Sequence, residues 1–215
     1  MNTPRSRSGL LLLFMLLCVG STVVPRNAAA QTDAGGRLNT AFAHAAQEFG
    51  VPRDLLVTVA YAETHFDAHN GEPSIANGYG LMHLVQNNQA DTLNLAAQAL
   101  AVSPDVLKAD SVQNIRGGAA VLRRYADEHG LNEAARNDVA QWYRVLGRYS
   151  NAISDVVQQM YADEAYKLLN AGFSGAADGE TISVSPQQIT PNKPVQSIAP
   201  LSLEQPFTNG FADDG

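Results

Sequence analysis

The sequence predicts a mainly α-helical domain that follows an export signal and precedes an extended tail. Apolar residues recur at helical spacing in successive segments up to about residue 172. Glycine, proline and capping residues separate these segments, and no convincing run of alternating polar and apolar residues interrupts them. A chain of 215 residues is long enough for one domain with a substantial core and for extensions on both sides.

Residues 1–30 have the three parts of a secretory signal peptide. Arg5 and Arg7 supply the positive charge, residues 10–19 form the apolar region, and the alanines at 28–30 provide a cleavage site. The apolar region is too short for a transmembrane helix. We therefore expect secretion to the cell wall or periplasm, with a retained N-terminal anchor as the alternative.

Cleavage after residue 30 would leave an acidic chain without cysteine. It removes Cys18, the only cysteine, so the mature chain has neither a disulfide nor a thiol nucleophile. It also removes three of the 14 basic residues and none of the 21 acidic ones, which changes the net charge from −7 to −10. A protein this acidic is poorly suited to nucleic acid. We expect no nucleic-acid partner and no stable membrane insertion.

Two helices and a loop are predicted at the start of the domain, which we place at residues 31–172. The first helix spans 36–49 and ends at Gly50. Its apolar face consists of Leu38, Phe42, Ala45 and Phe49. Pro52 lies in the first turn of the second helix, where the missing N–H costs nothing. A loop with three turn signals follows at 67–80.

Five further helices are predicted after this loop. Two short ones cover about 92–101 and 104–107, and Ser111 caps a third. Asn137 or Asp138 caps a fourth. The inward faces of the third and fourth helices consist of Ile115, Ala119, Leu122, Tyr125 and Ala126, and of Val139, Trp142, Tyr143 and Leu146.

The fifth helix and the tail end the chain. The helix runs from about 151 to 171 and stops at Gly172. Its predicted inward residues are Ile153, Val157, Met160 and Leu168. Five of the ten prolines fall within the last 30 residues, so residues 173–215 predict a Pro/Ser/Thr/Gln-rich linker or tail that is largely disordered. One short strand is expected at 181–185. The segment is either a plain tail or one part of a longer protein.

Glu63 is the residue that most directly suggests chemistry. Leu55, Val59 and Glu63 lie at i, i+4 and i+8 of one helix, so a carboxylate occupies a position on the apolar face. Desolvation and the nearby negative end of the helix dipole both disfavour its charged form. A carboxylic acid that keeps its proton near neutral pH can act as a general acid. The alternative is a surface glutamate at an exposed helix end.

Four segments in this order resemble the soluble lytic transglycosylase domain of the lysozyme-like fold. They are A-E-T-H-F-D at 62–67, G-Y-G-L-M-H-L at 78–84, N-I-R-G-G-A-A-V-L at 114–122 and the aromatic helix at 142–149. The resemblance covers roughly residues 38–170. It implies a lysozyme-like helical fold.

The resemblance also implies a specific reaction on peptidoglycan. Members of this family cleave the bond between N-acetylmuramic acid and N-acetylglucosamine. The glutamate that matches Glu63 first protonates the glycosidic oxygen. It then acts as a base while the muramic 6-hydroxyl closes a 1,6-anhydro ring. No cofactor, metal or second carboxylate takes part, although Asp67 and Glu72 are the nearest candidates for a carboxylate pair. A lysozyme that uses water instead is the alternative mechanism.

The substrate-binding candidates follow from the same resemblance and include departures from it. They are Thr64, Tyr79, Gly80, Met82, His83, Asn114, Trp142 and Tyr149. Thr64 replaces the usual serine, and His83 replaces the usual glutamine of G-L-M-Q, so its charge depends on pH. Only an aromatic remains of the A-Y-N-A-G segment, near 140–144. Trp142 is equally compatible with core packing, and Met82 is most often a core residue.

Two functions other than the enzyme stay open at this point, whereas a metal site is not expected. His65 and His69 are spaced like a metal pair, but H-E-x-x-H is absent and we predict no metal. The segment at 78–84 is also similar to the N-terminal parts of some exported N-acetylmuramoyl-L-alanine amidases. A weakly active or inactive cell-wall-binding module, with a downstream amidase domain or partner, is therefore the alternative function. A helical scaffold without affinity for sugars is the third.

Overall fold

The protein is described here by a computed structural model that covers residues 36–194. These residues form a mainly helical domain, as predicted. The predicted signal peptide and the end of the predicted tail lie outside the described residues. The α-helices are α1 (Arg37–Phe49), α2 (Arg53–Thr64), α3 (Thr92–Leu100), α4 (Pro104–Ala109), α5 (Ser111–Glu128), α6 (Glu133–Arg136), α7 (Tyr143–Tyr149) and α8 (Asp155–Ala171).

Short 3-10 helices and two antiparallel hairpins complete the described part of the chain. The 3-10 turns are His69–Gly71 and Val139–Trp142. The first hairpin pairs β1 (Gly78–Tyr79) with β2 (Leu84–Val85). The second pairs β3 (Phe173–Ala177) with β4 (Glu180–Val184). The first hairpin lies where a loop was predicted at 67–80, followed by the motif at 78–84.

Helix α5 lies at the centre of the core and contacts α1, α3, α4 and α7. Its predicted inward residues are buried, as are the predicted inward residues Leu38, Phe42 and Ala45 of α1. Asp110, rather than the predicted Ser111, caps the helix, because its carboxylate accepts from the N–H groups of Val112 and Gln113. No helix within residues 36–194 is both long enough and apolar enough to cross a bilayer.

The predicted inward face of α8 is wrong. Ile153, Val157 and Met160 are 82%, 50% and 65% exposed, and the helix begins only at Asp155. The buried residues are instead Ala162, Ala165, Tyr166 and Leu169. They lie at i, i+3, i+4 and i+7, which is the stripe that faces α7 and α2. Two alanines, a tyrosine and a leucine form this contact, rather than the predicted aliphatic residues.

The second hairpin belongs to the folded domain and lies beyond the predicted boundary at residue 172. It packs against α1 and α2, and it buries Ile182 completely. The Glu180 carboxylate accepts from the N–H groups of Leu38 and Asn39 at the start of α1. Strand β4 matches the short strand predicted at 181–185, whereas the predicted disorder does not extend to residues 173–184.

Candidate active site

Glu63 lies in the last turn of α2, where the apolar helix meets the following loop. Leu55 and Val59, which precede it at helical spacing, are completely buried. The Glu63 side chain is 14% exposed. The helix ends because His65 adopts a left-handed backbone conformation and donates its N–H to the carbonyl of Tyr61. The carboxylate is therefore held close to the core with one side open.

Both carboxylate oxygens of Glu63 have a partner from a distant part of the chain. Tyr161 of α8 donates its hydroxyl to Oε1 at 2.6 Å. His83, in the turn between β1 and β2, places Nδ1 3.1 Å from Oε2. Tyr161 and His83, which are far apart in sequence, thus each hold one oxygen of the carboxyl group. Tyr161 was not among the predicted site residues, because nothing near it in sequence marks it.

Two tyrosines next to Glu63, one half-buried and one buried, remain neutral. Burial raises the pKa of Tyr161 well above the ordinary value, and the charge of Glu63 raises it further. Burial and the charge of Glu63 act in the same direction on the pKa of Tyr149. Both phenols therefore keep their protons throughout the neutral range and can act as hydrogen-bond donors.

Three of the predicted residues hold the backbone of the 79–83 segment next to Glu63. The Thr64 hydroxyl lies 3.1 Å from the carbonyl oxygen of Leu81. Tyr149 donates its hydroxyl to the carbonyl of Met82 at 2.8 Å. Asn114 accepts from the N–H of Met82 at 2.8 Å. These contacts position the turn that carries His83.

Asn114 is not accessible to a substrate. Its side chain is completely buried, and its amide also donates to the carbonyls of Tyr79 and Leu107, both at 3.0 Å. Gly80 lies against it with φ of 66°, and a Cβ there would come within 2.3 Å of the amide nitrogen of Asn114. Glycine at position 80 is therefore required both by the backbone conformation and by the lack of space.

Met82, Trp142 and Tyr149 do not offer a surface to a sugar ring. Met82 is completely buried and packs against Gly118. Trp142 is completely buried, and its indole N–H donates to the carbonyl of Arg136 at 3.0 Å. Tyr149 is 3% exposed. The substrate-contact role predicted for these side chains is corrected to a structural one, because packing removes them from the surface.

Tyr79 and His83 are the predicted aromatic contacts that keep part of their surface. The Tyr79 ring is half-buried, and the Lys108 ammonium lies 5.0 Å from its centroid. The His83 side chain is 18% exposed. Its ring lies directly over Gly78, where a Cβ would come within 2.2 Å of the imidazole. Its Nε2 lies 2.7 Å from the hydroxyl of Ser74.

The carboxylates after α2 do not pair with Glu63. The Asp67 side chain is 68% exposed and accepts from the N–H of His69 at 2.8 Å. This hydrogen bond lowers the pKa of Asp67. Glu72 is exposed. Within residues 36–194, no group of three or more His, Cys, Asp or Glu side chains could hold a metal ion. His65 instead packs its ring against Tyr61, with centroids 4.7 Å apart.

The chain belongs to the lysozyme-like superfamily, as a family model shows. A family model described as the transglycosylase SLT domain matches residues 40–168, and the chain belongs to this family. The resemblance predicted from the sequence motifs is confirmed. Comparisons with curated proteins and with solved structures found no match. Membership of the family supports a glycosidase activity of the lytic transglycosylase type, with peptidoglycan as the substrate.

Proposed function

We propose that this protein is an exported lytic transglycosylase that cleaves the glycosidic bond between N-acetylmuramic acid and N-acetylglucosamine, with Glu63 as its single acid and base. One observation supports the proposal more strongly than any other. A part-buried carboxyl group ends an apolar helix and is held through both oxygens by Tyr161 and His83. This is how a group that must both give and take a proton is kept in one orientation.

The reaction has two steps, and Glu63 is restored at the end of the second. Glu63 first gives its proton to the glycosidic oxygen, and the bond from that oxygen to the anomeric carbon breaks with its electron pair on the oxygen. The muramic 6-hydroxyl then attacks the anomeric carbon and gives its proton to the Glu63 carboxylate. The product is a 1,6-anhydro sugar, and no water is consumed.

The surroundings of Glu63 favour this route over hydrolysis. Inverting and retaining hydrolases generally use a second carboxylate, either to activate water or to attack the sugar. Asp67 and Glu72, the nearest candidates, are exposed, and Asp67 is bound to His69. The internal hydroxyl of the substrate can take the place of that second group.

Digestion of purified peptidoglycan tests the proposal. We expect the wild-type protein to release fragments that are lighter by one water than lysozyme products. Glu63→Gln keeps a hydrogen-bonding group of the same shape but cannot supply a proton, so release should fall by about 10²-fold or more. Mass spectrometry of the soluble fragments measures both quantities.

Asp67→Asn is the matched control for this experiment. It neutralises an exposed carboxylate close in sequence and should leave fragment release within about twofold of wild type, as is usual for exposed surface positions. Unchanged release by Glu63→Gln would contradict the role of Glu63. Fragments with the mass of hydrolysed sugar would contradict the transglycosylase route and favour a lysozyme.

Export is a separate part of the proposal and rests on residues 1–30 alone. We expect expression with the natural N-terminus in a bacterium to yield a processed protein that begins at Gln31. N-terminal sequencing of the protein recovered outside the cytoplasm measures this. Recovery of the unprocessed chain in the cytoplasm would contradict export without affecting the proposed chemistry.

A cell-wall-binding module of a longer amidase remains the second candidate function. It rests on the sequence, because the segment at 78–84 is similar to the N-terminal parts of such amidases and only an aromatic remains of the A-Y-N-A-G segment. Retention of the wild-type protein on insoluble peptidoglycan, without release of anhydro fragments, would support this alternative over the enzyme.

A further inference from the structure

An exposed aliphatic surface lies next to Tyr161, the α8 residue that donates its hydroxyl to Glu63. Val157 lies four residues before Tyr161, so both side chains lie on one face of the helix. Val157 is 50% exposed, and Met160, which directly precedes Tyr161, is 65% exposed. We call these two side chains the α8 surface. It continues the helix edge that reaches the proposed acid.

A second apolar surface lies in the loop before β1, next to the other carboxylate oxygen of Glu63. The Ser74 hydroxyl lies 2.7 Å from Nε2 of His83, and Nδ1 of that ring lies 3.1 Å from Oε2 of Glu63. Ile75, which follows Ser74, is fully exposed. A groove of about 530 Å³ passes along this loop and is lined by His69, Pro73, Ser74, Ile75 and Ala76. We call Ile75 and this groove the loop surface.

The exposed apolar side chains are concentrated at the site. Within residues 36–194, six large hydrophobic side chains are exposed, and three of them belong to the α8 surface and the loop surface. Single exposed apolar residues are ordinary on a protein, whereas a group of them around one site marks a contact surface. Because one surface adjoins each partner of Glu63, a substrate seated at this carboxyl group passes both.

We infer that these two surfaces bind the glycan strand on either side of Glu63 and take up the methyl groups of its acyl substituents, so that the protein is selective for N-acetylated strands. Val157, Met160 and Ile75 are substrate-contact residues in this scheme. They contribute to binding and take no part in the proton transfers. The inference deepens the proposed function and rests on it.

The chemistry of the side chains favours acyl methyl groups over bare sugar rings. Aromatic rings suit the faces of sugar rings, but Trp142 and Tyr149 are buried. Valine and isoleucine carry no side-chain group that could bond to a sugar hydroxyl. Each N-acetylated sugar offers an acetamido methyl group, and each muramic acid offers a further lactyl methyl group. Removing such a methyl group from water against an aliphatic side chain is favourable.

Charge favours the glycan over the acidic stem peptide as the occupant of these surfaces. Glu72 is exposed two residues before Ser74, and Asp155 is exposed two residues before Val157. The whole chain has a net charge of −7. The carboxylates of a stem peptide would meet charges of the same sign at both surfaces, whereas an acetamido group is uncharged.

Steady-state kinetics on purified peptidoglycan test the inference. Val157→Thr keeps the branched shape but replaces a methyl group by a hydroxyl, so KM should rise about three- to fivefold while kcat stays within about twofold. Ile75→Thr should act in the same way on the loop surface. Val156→Thr is the matched control, because this neighbouring valine is 64% exposed but points about 100° away around the helix. A KM for Val157→Thr equal to that of Val156→Thr would overturn the inference.

Binding of defined oligosaccharides to the Glu63→Gln variant gives a second readout that does not need turnover. The probes are β-1,4-linked pentamers of N-acetylglucosamine and of glucosamine, compared by titration calorimetry at about 0.3 M salt so that charge attraction to the free amines is screened. We expect the glucosamine pentamer to bind about tenfold or more weakly, because several methyl contacts are lost at once. Chemical re-acetylation should restore the affinity. Equal affinities for the two pentamers would overturn the inference.

Two further comparisons separate the glycan from other occupants. The effect of Val157→Thr on KM should be the same on strands with and without stem peptides. An effect that disappears on peptide-free strands would assign the surfaces to the peptide and overturn the inference. So would a wild-type dimer in analytical ultracentrifugation that Val157→Thr dissociates. Failure of the wild type to release anhydro fragments would instead count against the proposed function, since the binding of the two pentamers is measured without cleavage.

Discussion

At the residue scale, Tyr161 is the clearest addition to the predicted site. It donates a hydrogen bond of 2.6 Å to the proposed acid, and it lies 98 positions from Glu63 in sequence. A hydrogen bond to a charged group contributes about 1.5–3 kcal/mol, twice the value of a neutral one. Its phenol stays protonated because burial and Glu63 both raise its pKa.

Tyr161→Phe should lower kcat/KM on peptidoglycan by about tenfold to a hundredfold, because the carboxyl group loses one of its two fixed partners. The ring and its packing remain, so the melting temperature should change little. Fragment release and thermal denaturation of the same preparation measure the two effects. Tyr143→Phe is the control, since its hydroxyl donates to α8 at Gln159 and Asp163 and not to Glu63. Equal rates for Tyr161→Phe and wild type would show that this hydrogen bond does not position the acid.

The same scale shows what the sequence predicts of Glu63 and of the residues around it. Glu63 interrupts an apolar stripe of one helix, so the periodicity alone singles it out as unusual. Asn114 and Tyr149 lie near the site as the motifs implied, but they bond to the backbone of the 79–82 segment and not to solvent. A motif reports which residues are close to a site. It does not report which atom each side chain points at.

At the element scale, periodicity predicted the helices well and the hairpins poorly. Helices α1 and α5 have long stripes of large apolar residues, so their buried faces could be read directly. Strand β3 has the sequence F-S-G-A-A and only one buried residue, so its pattern carries little signal. The inward face of α8 was mispredicted for a related reason, because two of its four buried residues are alanines.

Glu180 links the second hairpin to α1 through an electrostatic contact. Helix α1 begins after Gly36, which has no side chain to cap it, and the carboxylate of Glu180 supplies the missing acceptor. Burial raises the pKa of Glu180, but the N–H groups of Leu38 and Asn39 outweigh it and hold this pKa below the ordinary value. A cap contributed by a residue 142 positions away could not be read from the local sequence.

Glu180→Ala should lower the free energy of unfolding by about 1 kcal/mol at pH 7, the usual cost of losing a helix cap. Because the pKa of Glu180 is lower in the folded state, its contribution is present above the ordinary carboxyl range and is lost as the pH falls through the folded value. The difference in the free energy of unfolding between wild type and variant should therefore become smaller towards pH 3. Urea denaturation at a series of pH values measures it, with Glu164→Ala, exposed on α8, as the control. A difference that stays constant down to pH 3 would contradict the charged cap.

At the scale of the whole molecule, the folded domain extends past the transglycosylase match, which ends at residue 168. The hairpin covers α1 and α2, and the chain after it stays attached. Gln187 donates to Asp54 at 2.8 Å, and Asn170 exchanges two hydrogen bonds with the backbone of Ile189. Composition predicted a linker from residue 173 because proline, serine and glutamine dominate the segment. Composition does not distinguish an extended chain that packs on a domain from one that is free.

Truncation tests whether the segment after α8 is packed on the domain or free of it. A chain of residues 31–172 loses the burial of Ile182, worth about 1.5–3 kcal/mol, and the Glu180 cap, worth about 1 kcal/mol. We expect it to melt about 5–16 °C below a chain of residues 31–194, since about 1 kcal/mol shifts the melting temperature of a domain this size by roughly 2–4 °C. Residues 31–184 keep the hairpin and should recover most of the difference. Thermal denaturation followed by circular dichroism compares the three chains. Equal melting temperatures for 31–172 and 31–194 would show that the hairpin is not part of the cooperative domain.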